Sequence, residues 1–182
     1  REVLKGVDLH FPQGSLTAIV GESGCGKSTI ASILMGRNRG YTGSVTVGGV
    51  PLCDISEESL LERFTYVSHQ SYLFQGTVRE NLLMGCPNAG EDALWMALEQ
   101  VKLADFLREA QGLDTRLAEK ASNLSGGQCQ RLALARALLH DSPVYLFDEA
   151  SSNIDVESET DVMAQIHQLA KTKTVILISH RL

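Results

Sequence analysis

The sequence predicts an α/β fold, with a mostly parallel sheet, a small antiparallel β subdomain and an inserted α-helical subdomain. Three observations predict it. Short apolar runs stand at Leu16–Val20 (LTAIV), Val144–Phe147 (VYLF) and Thr174–Ile178 (TVILI), each the length of a buried strand. The segments that follow the first two runs carry helical periodicity, so strand and helix alternate as parallel pairing requires. Between them, from Gly76 to about Ala121, the apolar period turns helical over a long stretch.

The elements follow in order. Residues 1–15 alternate apolar and polar before a turn at Pro12-Gln13-Gly14, which predicts an edge strand feeding the buried strand Leu16–Val20. After a glycine-rich loop, Ile30, Ile33 and Leu34 recur at helical spacing and Gly36 follows as a C-cap, predicting a helix from near Lys27. Ser44–Val50 alternates around Gly48-Gly49, a hairpin signal. Ser56 before Glu57 and Glu58 reads as the N-cap of a short helix, and Thr65–Ser68 as a short strand. Leu94, Ala97, Leu98 and Val101 form an amphipathic stripe, and Phe106-Leu107 ends another helical segment. Ser125 opens a helix whose apolar face includes Leu132, Ala135, Leu138 and Leu139, and Pro143 ends that connection. A last helix covers Val156 to Ala170. One domain of 182 residues is expected. Residues 1–75 and 131–182 form its core with the antiparallel part, and residues 76–130 form the helical subdomain.

Composition narrows the class. The chain is 43% hydrophobic and 21% charged, ordinary for a globular protein, and a single domain of this size buries about 70% of its unfolded surface. No apolar run approaches the ~18 residues of a membrane span. A net charge of −6 argues against a nucleic-acid surface. Cys25, Cys53, Cys86 and Cys129 show no C-x-x-C spacing, as expected of free thiols in a reducing compartment.

The chemistry begins at Gly21-Glu22-Ser23-Gly24-Cys25-Gly26-Lys27-Ser28-Thr29, which has the form G-x-x-x-x-G-K-[ST] between a strand and a helix. Glycines let the backbone N–H groups turn toward a β-phosphate, and the helix N-terminus adds positive potential. Lys27 then reaches the β- and γ-phosphates and the Ser28 hydroxyl ligates Mg²⁺. The fold is thus expected to be a P-loop NTPase core binding a nucleoside triphosphate. Asp148-Glu149 closes the strand VYLF, at the sheet end where ligands collect. Asp148 suits the Mg²⁺ shell, and Glu149 suits a general base polarising the attacking water.

Leu124-Ser125-Gly126-Gly127-Gln128 resembles the signature sequence of the ABC (ATP-binding cassette) ATPases, and the resemblance covers essentially the whole chain. Ser125 and the N–H groups of Gly126 and Gly127 make an anion-binding helix N-terminus. The resemblance implies that Ser125 to Gln128 bind the γ-phosphate of ATP held by a second cassette, identical or different, in a head-to-tail dimer. It also implies that Ser151-Ser152-Asn153-Ile154-Asp155 crosses that interface, although the family usually reads S-A-L-D there. His180, after the strand, matches the switch histidine that contacts the γ-phosphate and orients Glu149. Where exporters carry the glutamine of V-[SP]-Q-x-x-x-L-F, this chain has His69 with Gln70 one residue later. Either side chain is a candidate for that role.

Three stretches resemble exporter cassettes: Gly76-Thr77-Val78-Arg79-Glu80-Asn81-Leu82, the loop from Leu113 to Glu119, and Ala150 after Asp148-Glu149. Ala118 and Ala121 stand where glycines are usual, which predicts a stiffer loop. No adenine-stacking aromatic is evident upstream of Val3, and Phe11 and Tyr41 are expected to serve packing. The chain reads as part of a longer polypeptide with membrane-spanning segments upstream. The expected function is ATP binding and hydrolysis at the cytoplasmic face of a membrane, powering export through cassette dimerisation. The alternatives are a DNA-repair or ribosome-associated ABC ATPase, which a coiled coil or basic patches would mark, or an importer cassette.

Overall fold

The computed structural model describes residues 3–70, 72–150, 152 and 154–180. The chain divides into two compact units. The first comprises the described residues of Arg1–Tyr66, Ser142–Glu149 and Ala170–Leu182, and the second those of Val67–Asp141 and Ala150–Leu169.

The first unit is organised by a sheet of β1 (Leu16–Val20), β8 (Thr174–Ser179), β7 (Val144–Asp148) and β4 (Phe64–Ser68), in the order β1-β8-β7-β4. The strands β1 and β8 are parallel, with Val20 opposite Ser179, and β7 and β8 are parallel, with Asp148 opposite Ile178. The β-branched content of Thr174–Ser179 suits a strand flanked on both edges. Helix α1 (Lys27–Leu34) buries Lys27, Ala31 and Leu34, and Ala31 and Leu34 join a core with Met35, Leu52, Leu60, Phe64, Leu146, Ile176 and Ile178. Phe11 packs against this core. The short strands β2 (Thr46–Val47) and β3 (Val50–Pro51) pair antiparallel around Gly48 (φ 58°) and Gly49 (φ 81°). Two consecutive positive φ values demand a turn of the type that Gly-Gly supplies. Helix α2 (Glu57–Arg63) is capped as expected, with the Ser59 N–H donating to the Ser56 hydroxyl at 3.2 Å.

Two expectations need correction. Residues 3–15 form no strand; Val3, Val7 and Leu9 are exposed, and Gly6 turns the chain with φ 54°. Alternation alone cannot hold a strand that lacks a hydrogen-bonding neighbour. And β1 is half-exposed rather than buried: Leu16, Ala18 and Val20, which share one face, are exposed, and Thr17 and Ile19 on the other are partly buried.

The second unit is helical, with α3 (Val78–Leu83), α4 (Glu91–Gln100), α5 (Ala104–Glu109), α6 (Gly126–His140) and α7 (Val156–Leu169). Helix α6 packs against α3, α4 and α7. Leu94, Ala97, Leu98 and Val101 are all buried, as their spacing predicts. Thr77 and Glu80 form a capping box that starts α3. One turn on, the buried Asn81 binds the Phe74 backbone twice, accepting from its N–H (2.8 Å) and donating to its carbonyl (2.9 Å). Periodicity did not reveal the antiparallel ladder between β5 (Gly76–Thr77) and β6 (Arg116–Leu117), two residues long on each side. Among the described residues, no helix is long and apolar enough to cross a membrane.

Two backbone features yield predictions. Lys120 and Ala121 both adopt left-handed φ (55° and 51°), so Ala121 keeps a conformation that glycine would take without strain. Lys120 is exposed, so Lys120→Gly is expected to stabilise the domain by about 1 kcal/mol, raising its melting temperature by about 2–4 °C in thermal unfolding. An unchanged or lower melting temperature would contradict the left-handed turn. Gly127 is a packing constraint: a Cβ there would lie 2.2 Å from Ser158 Oγ and 2.7 Å from its Cβ, at the start of α7. Gly127→Ala is therefore expected to destabilise the domain by about 1–3 kcal/mol, read as an earlier denaturant midpoint, and a neutral result would mean that α6 and α7 do not meet there.

Candidate functional site

In the first unit, the residues of interest gather at the carboxyl ends of β1, β7 and β8. Parallel pairing brings these ends together, and each is followed by one of them: Gly21, Glu149 and His180. The loop Gly21–Gly26 then turns into α1. Gly26 precedes the helix with φ 106°, a left-handed conformation that calls for glycine. Gly24 also has positive φ (82°), and the Cys25 N–H donates to the Glu22 carbonyl at 3.4 Å.

Lys27 is buried to 5% exposure, and its ammonium is satisfied within the loop. Nζ donates to the carbonyls of Gly21 (2.6 Å) and Glu22 (2.9 Å) and lies 3.2 Å from His180 Nδ1. On the other side of the ring, His180 Nε2 contacts Glu149 Oε1. One neutral tautomer satisfies both contacts, with Nε2–H donating to the carboxylate and Nδ1 accepting from Lys27; this assignment follows from the hydrogen-bond network. Three side chains from three separate segments thus form the chain Lys27–His180–Glu149. Glu149 itself is held at φ 53°, its N–H donating to the Ile178 carbonyl at 2.9 Å. A glutamate in the left-handed region costs of order 1–3 kcal/mol, and such strain concentrates at functional sites.

Asp148 ends β7 with 8% exposure and accepts a hydrogen bond from the Tyr66 hydroxyl at 2.8 Å. Burial, together with the hydrogen bond and negative charge of Asp148, pushes the Tyr66 phenol up to about 12. Ser28 and Thr29 lie in the first turn of α1, with Ser28 exposed. Among the described residues no cluster of three or more His, Cys, Asp or Glu side chains is placed to hold a metal ion. A hydroxyl and one carboxylate nevertheless fit Mg²⁺, a hard cation usually held by one or two protein oxygens together with phosphates and water.

In the second unit, Ser125 caps α6. The Gln128 N–H donates to Ser125 Oγ (3.1 Å) and the Ser125 N–H donates to Gln128 Oε1 (2.9 Å), a complete capping box. Gly126 and Gly127 form the first turn, whose free N–H groups face outward from the helix N-terminus. The first turn of α7 lies against Gly127 through Ser158 and Asp155. The Ser158 backbone N–H and side chain hold the Asp155 carboxyl below the usual carboxylate range.

On α6, sequence reasoning missed Arg136 and gave Gln130, which follows the signature, no contact. Gln130 donates to the Ser68 carbonyl (3.3 Å) and Arg136 to the Tyr72 carbonyl (2.8 Å), so one helix ties down both flanks of the exposed turn carrying His69 and Gln70. Burial depresses the Arg136 guanidinium below its ordinary value. Tyr66 was also missed, since a strand tyrosine carries no signal of its partner. Of the interface segment, Ser152, Ile154 and Asp155 are described, whereas Ser151 and Asn153 lie outside the described residues.

Comparison with known proteins shows the family. The family profile described as "ABC transporter" matches residues 4–152. An ABC transporter ATP-binding protein of Haemophilus influenzae is 47% identical over 182 residues, covering 100% of this chain and 32% of the relative. An ATP-dependent lipid A-core flippase of Chromohalobacter salexigens is 39% identical, covering 100% of this chain and 31% of the flippase. The solved structure of a bacterial Atm1-family ABC exporter with ATP bound superposes with a TM-score of 0.92 at 36% identity, over 100% of this chain and 32% of that one. The chain therefore spans about a third of the length of the relatives it matches. With the family profile covering residues 4–152 and the fold matched over the whole chain, the chain belongs to the ABC transporter family, as an ATP-binding domain.

Proposed function

We propose that this domain binds and hydrolyses ATP to power export by a membrane transporter, working as one half of a cassette dimer on the cytoplasmic face. The observation that carries the reading is the chain Lys27–His180–Glu149 at the mouth of the glycine loop. The N–H groups of Gly21–Gly26 and the start of α1 cradle the phosphates. Lys27 exchanges its carbonyl partners for β- and γ-phosphate oxygens, a stronger charge-assisted contact. The Ser28 hydroxyl and the Asp148 carboxylate would hold Mg²⁺, which would supply neutralisation of phosphate charge. Glu149 takes a proton from the attacking water, and His180, hydrogen-bonded to it, fixes its orientation beside the γ-phosphate.

The signature residues Ser125, Gly126, Gly127 and Gln128 offer helix N–H donors to the γ-phosphate of the partner's nucleotide. ATP then acts as the adhesive between two cassettes, and its hydrolysis releases them. The membrane-spanning segments are fused to the cassette, and the acidic net charge leaves nucleic acid out of the list of partners. Support for the exporter class comes from the names of the flippase and of the Atm1-family exporter, each of which this chain covers only in part.

Two substitutions in the full-length protein test this. Glu149→Gln preserves shape and removes the base, so phosphate release is expected to fall about 10²–10⁴-fold while ATP still binds. Turnover at the wild-type rate would remove Glu149 from the chemistry. Lys27→Ala is expected to weaken ATP binding at least about tenfold in a direct binding titration, because a charge-assisted phosphate contact is lost. Unchanged affinity would rule out the glycine loop as the phosphate cradle.

A further inference from the structure

We propose that Tyr66 is a positioning residue for the divalent cation, its phenol locking the Asp148 carboxylate in the orientation that the metal requires. The inference rests on Asp148 belonging to the metal shell. Tyr66 sits on β4 and Asp148 at the end of β7, adjacent strands of the sheet. The phenol donates to Asp148 Oδ2 at 2.8 Å. The ring is held from two further sides: it packs on the core that includes Leu146, and the Arg37 guanidinium lies 4.9 Å over its centroid. Arg37 is itself anchored just past α1, where its backbone N–H donates to the Ser32 carbonyl at 2.9 Å. A rigid donor is thus aimed at one carboxylate oxygen.

An ionised carboxylate offers about four lone-pair positions, and a single phenol occupies one of them, leaving capacity for a cation. Ligating carboxylates are commonly oriented by such an outer hydrogen bond, and losing it lowers metal affinity by about 10–100-fold. Packing does not explain the hydroxyl, since a phenylalanine would fill the same space and stack under the same guanidinium. What the hydroxyl adds is direction: it donates to Oδ2 and so fixes which carboxylate oxygen faces the phenol.

The test uses Mn²⁺ as the probe, titrated into the full-length protein with a non-hydrolysable ATP analogue and followed by electron paramagnetic resonance. Tyr66→Phe is expected to weaken Mn²⁺ binding about tenfold or more. Its melting temperature and its affinity for the analogue in EDTA stay at the wild-type values. Asp148→Asn serves as the reference and should lose tight Mn²⁺ binding altogether. If Asp148→Asn binds Mn²⁺ as tightly as wild type, the metal assignment of Asp148 fails and the role of Tyr66 falls with it. If Asp148→Asn loses the ion but Tyr66→Phe does not, the assignment stands and the positioning role is overturned. A Tyr66→Phe loss no larger for Mn²⁺ than for the metal-free analogue would mean that the hydroxyl serves only the fold, which also overturns it.

Discussion

The parallel register of β1, β8 and β7 is the constraint on which the site depends. Val20 faces Ser179 and Asp148 faces Ile178, so the residues that leave the sheet next are Gly21, His180 and Glu149. A slip of one residue in either pairing would reverse the facing of every side chain along that strand. Lys27 would then lose the imidazole 3.2 Å from its ammonium, and that imidazole would lose Glu149. The register is held from below by Leu146, Ile176 and Ile178, three strand residues inside one apolar core. Hydrophobic burial thereby fixes polar geometry above it, without any of those residues touching a ligand.

Backbone conformation supplies the second level of control. Position 26 favours glycine because its φ is 106°. Glu149 has no such freedom and is held in the left-handed region, secured by the Ile178 carbonyl. That strain turns the carboxylate from the strand direction toward His180 and away from the neighbouring Asp148. Two adjacent acidic residues thereby acquire different partners, a phenol for one and an imidazole for the other.

In the second unit the same economy rests on α6. Its N-terminus carries the signature residues, its side chains Gln130 and Arg136 hold the backbone on either side of His69 and Gln70, and its first turn admits Ser158 only because residue 127 is glycine. A displacement of α6 would therefore carry the signature and this turn together. Arg136 contributes to this coupling through its hydrogen bond to the Tyr72 carbonyl.

Local sequence by itself determined the parts of this protein whose cause is local. The strand LTAIV, the glycine loop and the start of α1 follow from β-branched residues, glycine spacing and helical period within one short stretch. The caps at Ser56 and Ser125 are likewise set by residues three positions apart. Position at a strand end extended this to Asp148 and Glu149 as expectations, and family resemblance to His180. Tertiary structure alone decided the rest. Residues 3–10 alternate like a strand yet form none, because pairing depends on a neighbour that local pattern does not encode. Tyr66 meets a carboxylate 82 residues away, and Gln130 a carbonyl 62 residues away, contacts for which no periodicity carries a signal. The sequence chose the chemical groups, and the parallel register and helix packing decided which of them face one another, because a side chain's partner is set by long-range burial rather than by its neighbours in the chain.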